Sequence, residues 1–202
     1  MINFILKSIS FIFHPLIMPI LGVIFYFSKT PRFIPEPIIK AKLFSISILT
    51  IVLPILLFFL LKTINKVDTI YLKSTKERII PLFINCIITI LILTSVLTIN
   101  EITELYFFFL GILCSTLTCL FLAAFKVKAS IHMIGASGCF CFALLLGVHY
   151  QININGSIAL MVIILGAIAT SRLHSKSHSP YELIIGTLVG VIPQILMLKY
   201  WL

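Results

Sequence analysis

The chain has 202 residues, 60% of them hydrophobic and 10% charged, with 15 Lys and Arg against 6 Asp and Glu for a net charge of +9. Soluble domains run at about 45–50% apolar and about 25% charged, so a mean hydropathy of +1.20 excludes a soluble globular domain. A chain this apolar is not disordered, and it is too apolar for a typical nucleic-acid binder even at a pI near 9.5.

Taken in order, seven apolar runs are candidates for spanning helices, which need about 20 mostly apolar residues. They are 9–27, 43–61, 79–99, 105–125, 131–149, 154–170 and 180–201. The first contains His14, Pro15 and Pro19, so it reads as kinked, interfacial or re-entrant. The sixth is short. The expected fold is an all-α polytopic transmembrane helix bundle with six or seven spans, a single domain over 1–202. Continuous apolar runs argue against a β-barrel, whose strands alternate apolar and polar residues. Residues 1–7 and the stretch after them look somewhat like a signal peptide. No small-residue cleavage site follows, and an uncleaved first helix is expected. The five cysteines (Cys86, Cys114, Cys119, Cys139 and Cys141) lie inside the runs and form no CxxC. They read as small packing residues. The aromatic run 106–109 reads as core packing or a lipid-facing patch, and His149 as interfacial.

Alternating the spans across the membrane sorts the polar residues. Three clusters stand at 73–81, 128–132 and 171–182, each separated from the next by two spans. Parity brings all three to one side, and each opens a helix that enters the membrane. Helix N-termini present free N–H groups and a positive dipole end, which favour anions. Three such ends with several cations among them suit a phosphate-like group held at the membrane surface.

The last cluster is the richest. It runs Ser171-Arg172-Leu173-His174-Ser175-Lys176-Ser177-His178-Ser179-Pro180-Tyr181-Glu182. Pro180 suits a first helical turn, because its missing N–H would be unpaired there anyway. Ser179 is then the N-cap. Glu182 follows His178 by four residues and reaches its ring, where a carboxylate fixes the tautomer and strengthens a nucleophile. Glu182 is also the single Asp or Glu between positions 105 and 202. An acid entering an apolar span is a functional candidate by default.

These residues resemble the signatures of the type 2 phosphatidic acid phosphatase (PAP2) family. Ser171-Arg172, His178 and Glu182 are similar to its third signature, SR-x5-H-x3-D. Ser130-Ile131-His132 resembles the SGH core of the second, and Lys73 or Lys76 with Arg78 and Pro81 resembles the first, K-x6-RP. The resemblance covers 73–182, with the order and the two-span separations matching. Glu182 stands for Asp, Ala129 for Pro and Ile131 for Gly. Tyr71 stands seven residues before Arg78, and two isoleucines separate Arg78 from Pro81.

The resemblance implies a membrane phosphatase acting on a lipid phosphate or diphosphate, without a metal or other cofactor. It implies that His178 attacks phosphorus and forms a phosphohistidine, with Glu182 orienting it. His132 would protonate the leaving oxygen, while Arg172, Arg78, Ser130 and Lys76 or Lys73 hold the phosphate oxygens. Phosphatidic acid, phosphatidylglycerophosphate and polyprenyl diphosphate are the substrate classes, in the cytoplasmic (inner) membrane of a bacterium. Two other readings stay open: a lipid-phosphate binder or transporter without turnover, and a metalloenzyme using His132, His174, His178 and Glu182.

Overall fold

The structure, a computed structural model, describes residues 2–65 and 74–201. The described residues are helical, with no strand among them. Helix α1 (Ile2–Ile12) and helix α2 (Met18–Lys29) are short. Six longer helices follow: α3 (Glu36–Thr63), α4 (Thr75–Val96), α5 (Thr103–Ala124), α6 (Ile131–Tyr150), α7 (Asn155–His174) and α8 (Pro180–Leu198). All six are long and apolar enough to cross a membrane, and together they mark an integral membrane protein.

The run expected at 9–27 is not one helix. Pro15 and Pro19 lack the N–H that a continuous helix would use. The chain turns between α1 and α2, with the Ile17 N–H donating to the His14 carbonyl at 2.9 Å. Six spans therefore stand, with α2 as a shorter apolar companion. Proline also marks α3. Pro54 cannot donate to the Thr50 carbonyl, and the helix widens into a π-turn at Ile48–Val52 just before it, as helices do where the regular ladder is interrupted.

Helix α6 is the centre of the bundle. It packs against α8, α2 and α7, while α5 bridges α8 and α4, and α1 lies along α7. One end of the bundle carries the large core: Tyr26, Leu105, Phe107, Phe108, Phe109, Phe142, Leu146 and Trp201. Phe108 and Phe142 stack there at 4.3 Å. The aromatic run at 106–109 is thus mostly core, and His149 packs edge-on against Trp201 at 5.3 Å. The opposite end is built from smaller side chains, such as Cys119, Ala123, Ala129 and Ala136. There α6 and α8 meet through glycines. A Cβ on Gly186 would lie 2.7 Å from the Ser130 carbonyl oxygen, and one on Gly138 would lie 3.2 Å from the Gly190 carbonyl oxygen. Small residues at a helix seam let backbones approach this closely.

Two helices end alike on the small-residue side. After α5, the Lys126 N–H bonds the Ala123 carbonyl and the Val127 N–H bonds the Leu122 carbonyl. After α7, the Lys176 N–H bonds the Leu173 carbonyl and the Ser177 N–H bonds the Arg172 carbonyl. This is the Schellman pattern. Its left-handed position is held by Lys126 at φ 63° and Lys176 at φ 50°. Both turns send the chain back over the end of the bundle, so that α6 and α8 begin beside each other.

Candidate active site

The three polar clusters do share one end of the bundle, as parity expects, and direct bonds join them. Arg78, in the first turn of α4, is 5% exposed and donates from Nη1 to the Ala129 carbonyl at 2.8 Å. The Ser130 N–H donates to the Glu182 carbonyl at 3.0 Å, tying the start of α6 to the first turn of α8. Lys128 donates to the Ser177 carbonyl at 2.8 Å, and its Nζ lies 3.8 Å from Glu182 Oε2.

The start of α8 forms as the local sequence dictates. Ser179 caps the helix, Pro180 occupies its first turn, and Ser179 with Glu182 makes a reciprocal capping box. This box satisfies two otherwise orphaned N–H groups, and it holds Glu182 over the preceding residue. Glu182 Oε2 then lies 2.6 Å from Nδ1 of His178. A carboxylate accepts here, so the Nδ1–H donates and the neutral ring keeps its lone pair on Nε2. The His178 side chain is 3% exposed. Burial pushes its pKa below the usual histidine range, and the nearby charges of Arg78, Lys128 and Arg172 add to that against the pull of Glu182. The ring is uncharged at neutral pH, which a nitrogen nucleophile requires.

Ser130 is fully buried, and its Oγ has no hydrogen-bond partner among the described residues. His132 lies in the first turn of α6, with Nε2 3.2 Å from the carbonyl oxygen of Ser10 in α1. A carbonyl only accepts, so this nitrogen carries the proton. Arg172 stands in the last turn of α7, close enough to depress His178. Lys76 is exposed in the first turn of α4, and among the described residues no bond joins it to His178, Glu182 or Ser130. Lys73 lies outside the described residues. His174 and Lys176 are exposed. The four donors of the metal reading do not converge: among the described residues no group of three His, Cys, Asp or Glu could hold a metal ion.

Two residues of this neighbourhood do not stand out in the sequence. Among the described residues Lys128 is the ammonium that pairs with Glu182, although it lies outside the signature spacing. His14, expected only as part of a kinked helix, has its ring 5.5 Å from that of His132, edge to face. No local pattern points to it, because 118 positions separate the two histidines. The assembled groups form an uncharged, oriented imidazole, three cations around it, a buried hydroxyl and a second imidazole N–H. Such a set has the cations and hydrogen-bond donors that complement a tetrahedral oxyanion of high charge. Compared with family models, curated proteins and solved structures, the chain matches none of them.

Proposed function

We propose that the protein is a membrane-embedded phosphatase that hydrolyses a lipid phosphate or diphosphate through a phosphohistidine, in the manner of the type 2 phosphatidic acid phosphatases it resembles. The observation that carries this reading is the 2.6 Å contact of His178 Nδ1 with Glu182, set among Arg78, Lys128 and Arg172. In the proposed first step, His178 Nε2 bonds to phosphorus as the bond from phosphorus to the leaving oxygen breaks. That oxygen takes a proton from His132, which enters this step as the imidazolium and is left as the neutral imidazole. Water then attacks phosphorus, the P–N bond breaks, and His132 takes back a proton as inorganic phosphate leaves a monoester substrate. Arg78, Arg172 and Lys128 balance the charge on the phosphoryl oxygens, and Ser130 Oγ offers one more hydrogen bond. Arginine suits this because its planar fork holds two oxygens at once. The site lies at the end of the helices, where a headgroup can enter while its tails stay among apolar side chains. The membrane proposed is the bacterial cytoplasmic (inner) membrane, as the resemblance implies.

The test is phosphate release from phosphatidic acid, phosphatidylglycerophosphate and a polyprenyl diphosphate by purified protein in detergent. Release from at least one is expected, inhibited by vanadate and indifferent to EDTA. His178→Ala should lower kcat by about 10³-fold or more while the protein still unfolds at the wild-type temperature. Full activity in that variant overturns the histidine nucleophile. Binding of lipid phosphates with no release of phosphate would instead establish a binder or transporter.

A further inference from the structure

The N-terminal segment is fastened to the candidate site by more than packing. Ser10 in α1 accepts the His132 Nε2–H through its carbonyl and pairs its hydroxyl with that of Ser171 at 2.6 Å. Ser171 in turn donates to the Leu6 carbonyl at 2.5 Å. Past the turn, Met18 sits against Gly135 of α6, where an added Cβ would meet the Met18 side chain at 3.2 Å and Pro15 Cα at 3.7 Å. The residues on either side of His14 are therefore held by α6 and α7, beside residues that the proposed phosphatase mechanism uses.

Its own geometry adds a second point. The Leu16 N–H donates to His14 Nδ1 at 3.4 Å, so in the neutral ring the proton sits on Nε2. Burial, and then the charge of Arg172, hold its pKa below the usual histidine value, so the ring stays neutral at pH 7. A neutral imidazole thus lies beside the His132 ring and within the electrostatic reach of Arg172.

We propose that His14 is a phosphate-binding residue of this site, an N–H donor supplied by the N-terminal segment beside His132 and Arg172. The assignment rests on the phosphatase reading. It differs from it in adding a ligand from outside the 73–182 region, which the signatures do not cover. A neutral donor suits the position. Arg78, Lys128 and Arg172 already crowd one small volume, and a further cation would repel them, whereas a neutral N–H lends a hydrogen bond without adding charge.

The test uses two substitutions that separate donation from packing. His14→Phe keeps the ring and its edge contact with His132 but removes the donor. His14→Gln removes the ring but keeps an N–H. A hydrogen bond to a charged oxygen contributes about 1.5–3 kcal/mol, or roughly 10- to 150-fold in affinity. His14→Phe should raise KM for the lipid phosphate, and the vanadate inhibition constant, by about tenfold or more, and His14→Gln should recover most of the loss. The reverse order, with Phe like wild type and Gln impaired, would make His14 a packing residue and overturn the assignment. If His14→Phe does not fold, histidine-labelled wild type titrated with vanadate gives the answer. A shift of the resonance that is missing in His14→Gln supports the contact, and an unmoved resonance overturns it. Wild-type protein that neither releases phosphate nor binds vanadate would remove the phosphatase reading together with this one. Normal wild-type activity that His14→Phe leaves intact would remove His14 alone.

Discussion

Glu182 carries three bonds at once. Its side chain holds His178 and closes the capping box of α8, and its carbonyl receives the Ser130 N–H. The sequence marks it clearly, since it is the single acid after Glu104 and stands one turn after a histidine. Its charge and its capping role separate on substitution. Glutamine still completes a capping box, so Glu182→Gln should unfold within a few degrees of wild type. In the proposed mechanism it no longer stabilises the positive charge that develops on the His178 ring during attack. Its kcat is expected to fall by as much as about 10⁴-fold, the size of the loss when the carboxylate behind a catalytic histidine is neutralised in a serine protease. Phosphate release measured beside thermal unfolding checks both halves. Loss of stability in step with activity would reduce Glu182 to a cap.

At the level of the helices, the seam between α6 and α8 sets the distance between Ser130 and His178. Gly186 permits that approach, because its missing Cβ would sit 2.7 Å from the Ser130 carbonyl oxygen. Gly186→Ala must push the start of α6 away from α8. Overpacking of this kind costs about 1–3 kcal/mol, and the shift falls on the Ser130–Glu182 link. The expected result is a lower unfolding temperature in detergent and a loss of activity greater than Gly190→Ala produces, since Gly190 lies a further turn from the site. Equal effects would show that the seam acts through stability alone. Which helices exist was legible from the sequence, because long uncharged runs admit little else. The start of α8 was legible too, through Ser179, Pro180 and Glu182, which are local signals. The division of the first run into α1 and α2 was only half visible: Pro15 and Pro19 mark a disturbance without saying where α1 goes. Its seat on α7 depends on Ser10 meeting Ser171, a contact across 161 positions that leaves no periodic trace. For the same reason Lys128 displaces Lys76 beside Glu182. Spacing along a helix orders residues on one element and says nothing of which lysine a neighbouring loop delivers.

Across the whole molecule, the net charge of +9 is distributed by pairing as well as by number. At the end with the aromatic core, Arg32 pairs with Glu104 at 3.0 Å, Lys40 with Glu36 at 2.8 Å and Lys42 with Glu101 at 2.7 Å. Glu104 is only 4% exposed and also accepts from Tyr26 and Tyr150. At the other end, Lys7, Lys62, Lys76, Arg78, Lys126, Lys128, Arg172 and Lys176 stand against Glu77 and Glu182 among the described residues. Lys29 and Lys199 leave that first end slightly positive, and the candidate site keeps the larger surplus. The two left-handed turns belong to this surplus. Lys126 and Lys176 occupy a backbone conformation in which glycine is the usual residue, and a side chain there costs about 1–2 kcal/mol. Long-range attraction offers a reason for lysine to persist there. The anionic headgroup of the proposed substrate would feel this rim before reaching the candidate site, and at physiological salt that field extends about 8 Å. Lys176→Gly is therefore expected to stabilise the fold while lowering kcat/KM at low ionic strength. With rising salt the two proteins should converge, because the ions that screen the rim remove the advantage for which the strained turn was kept.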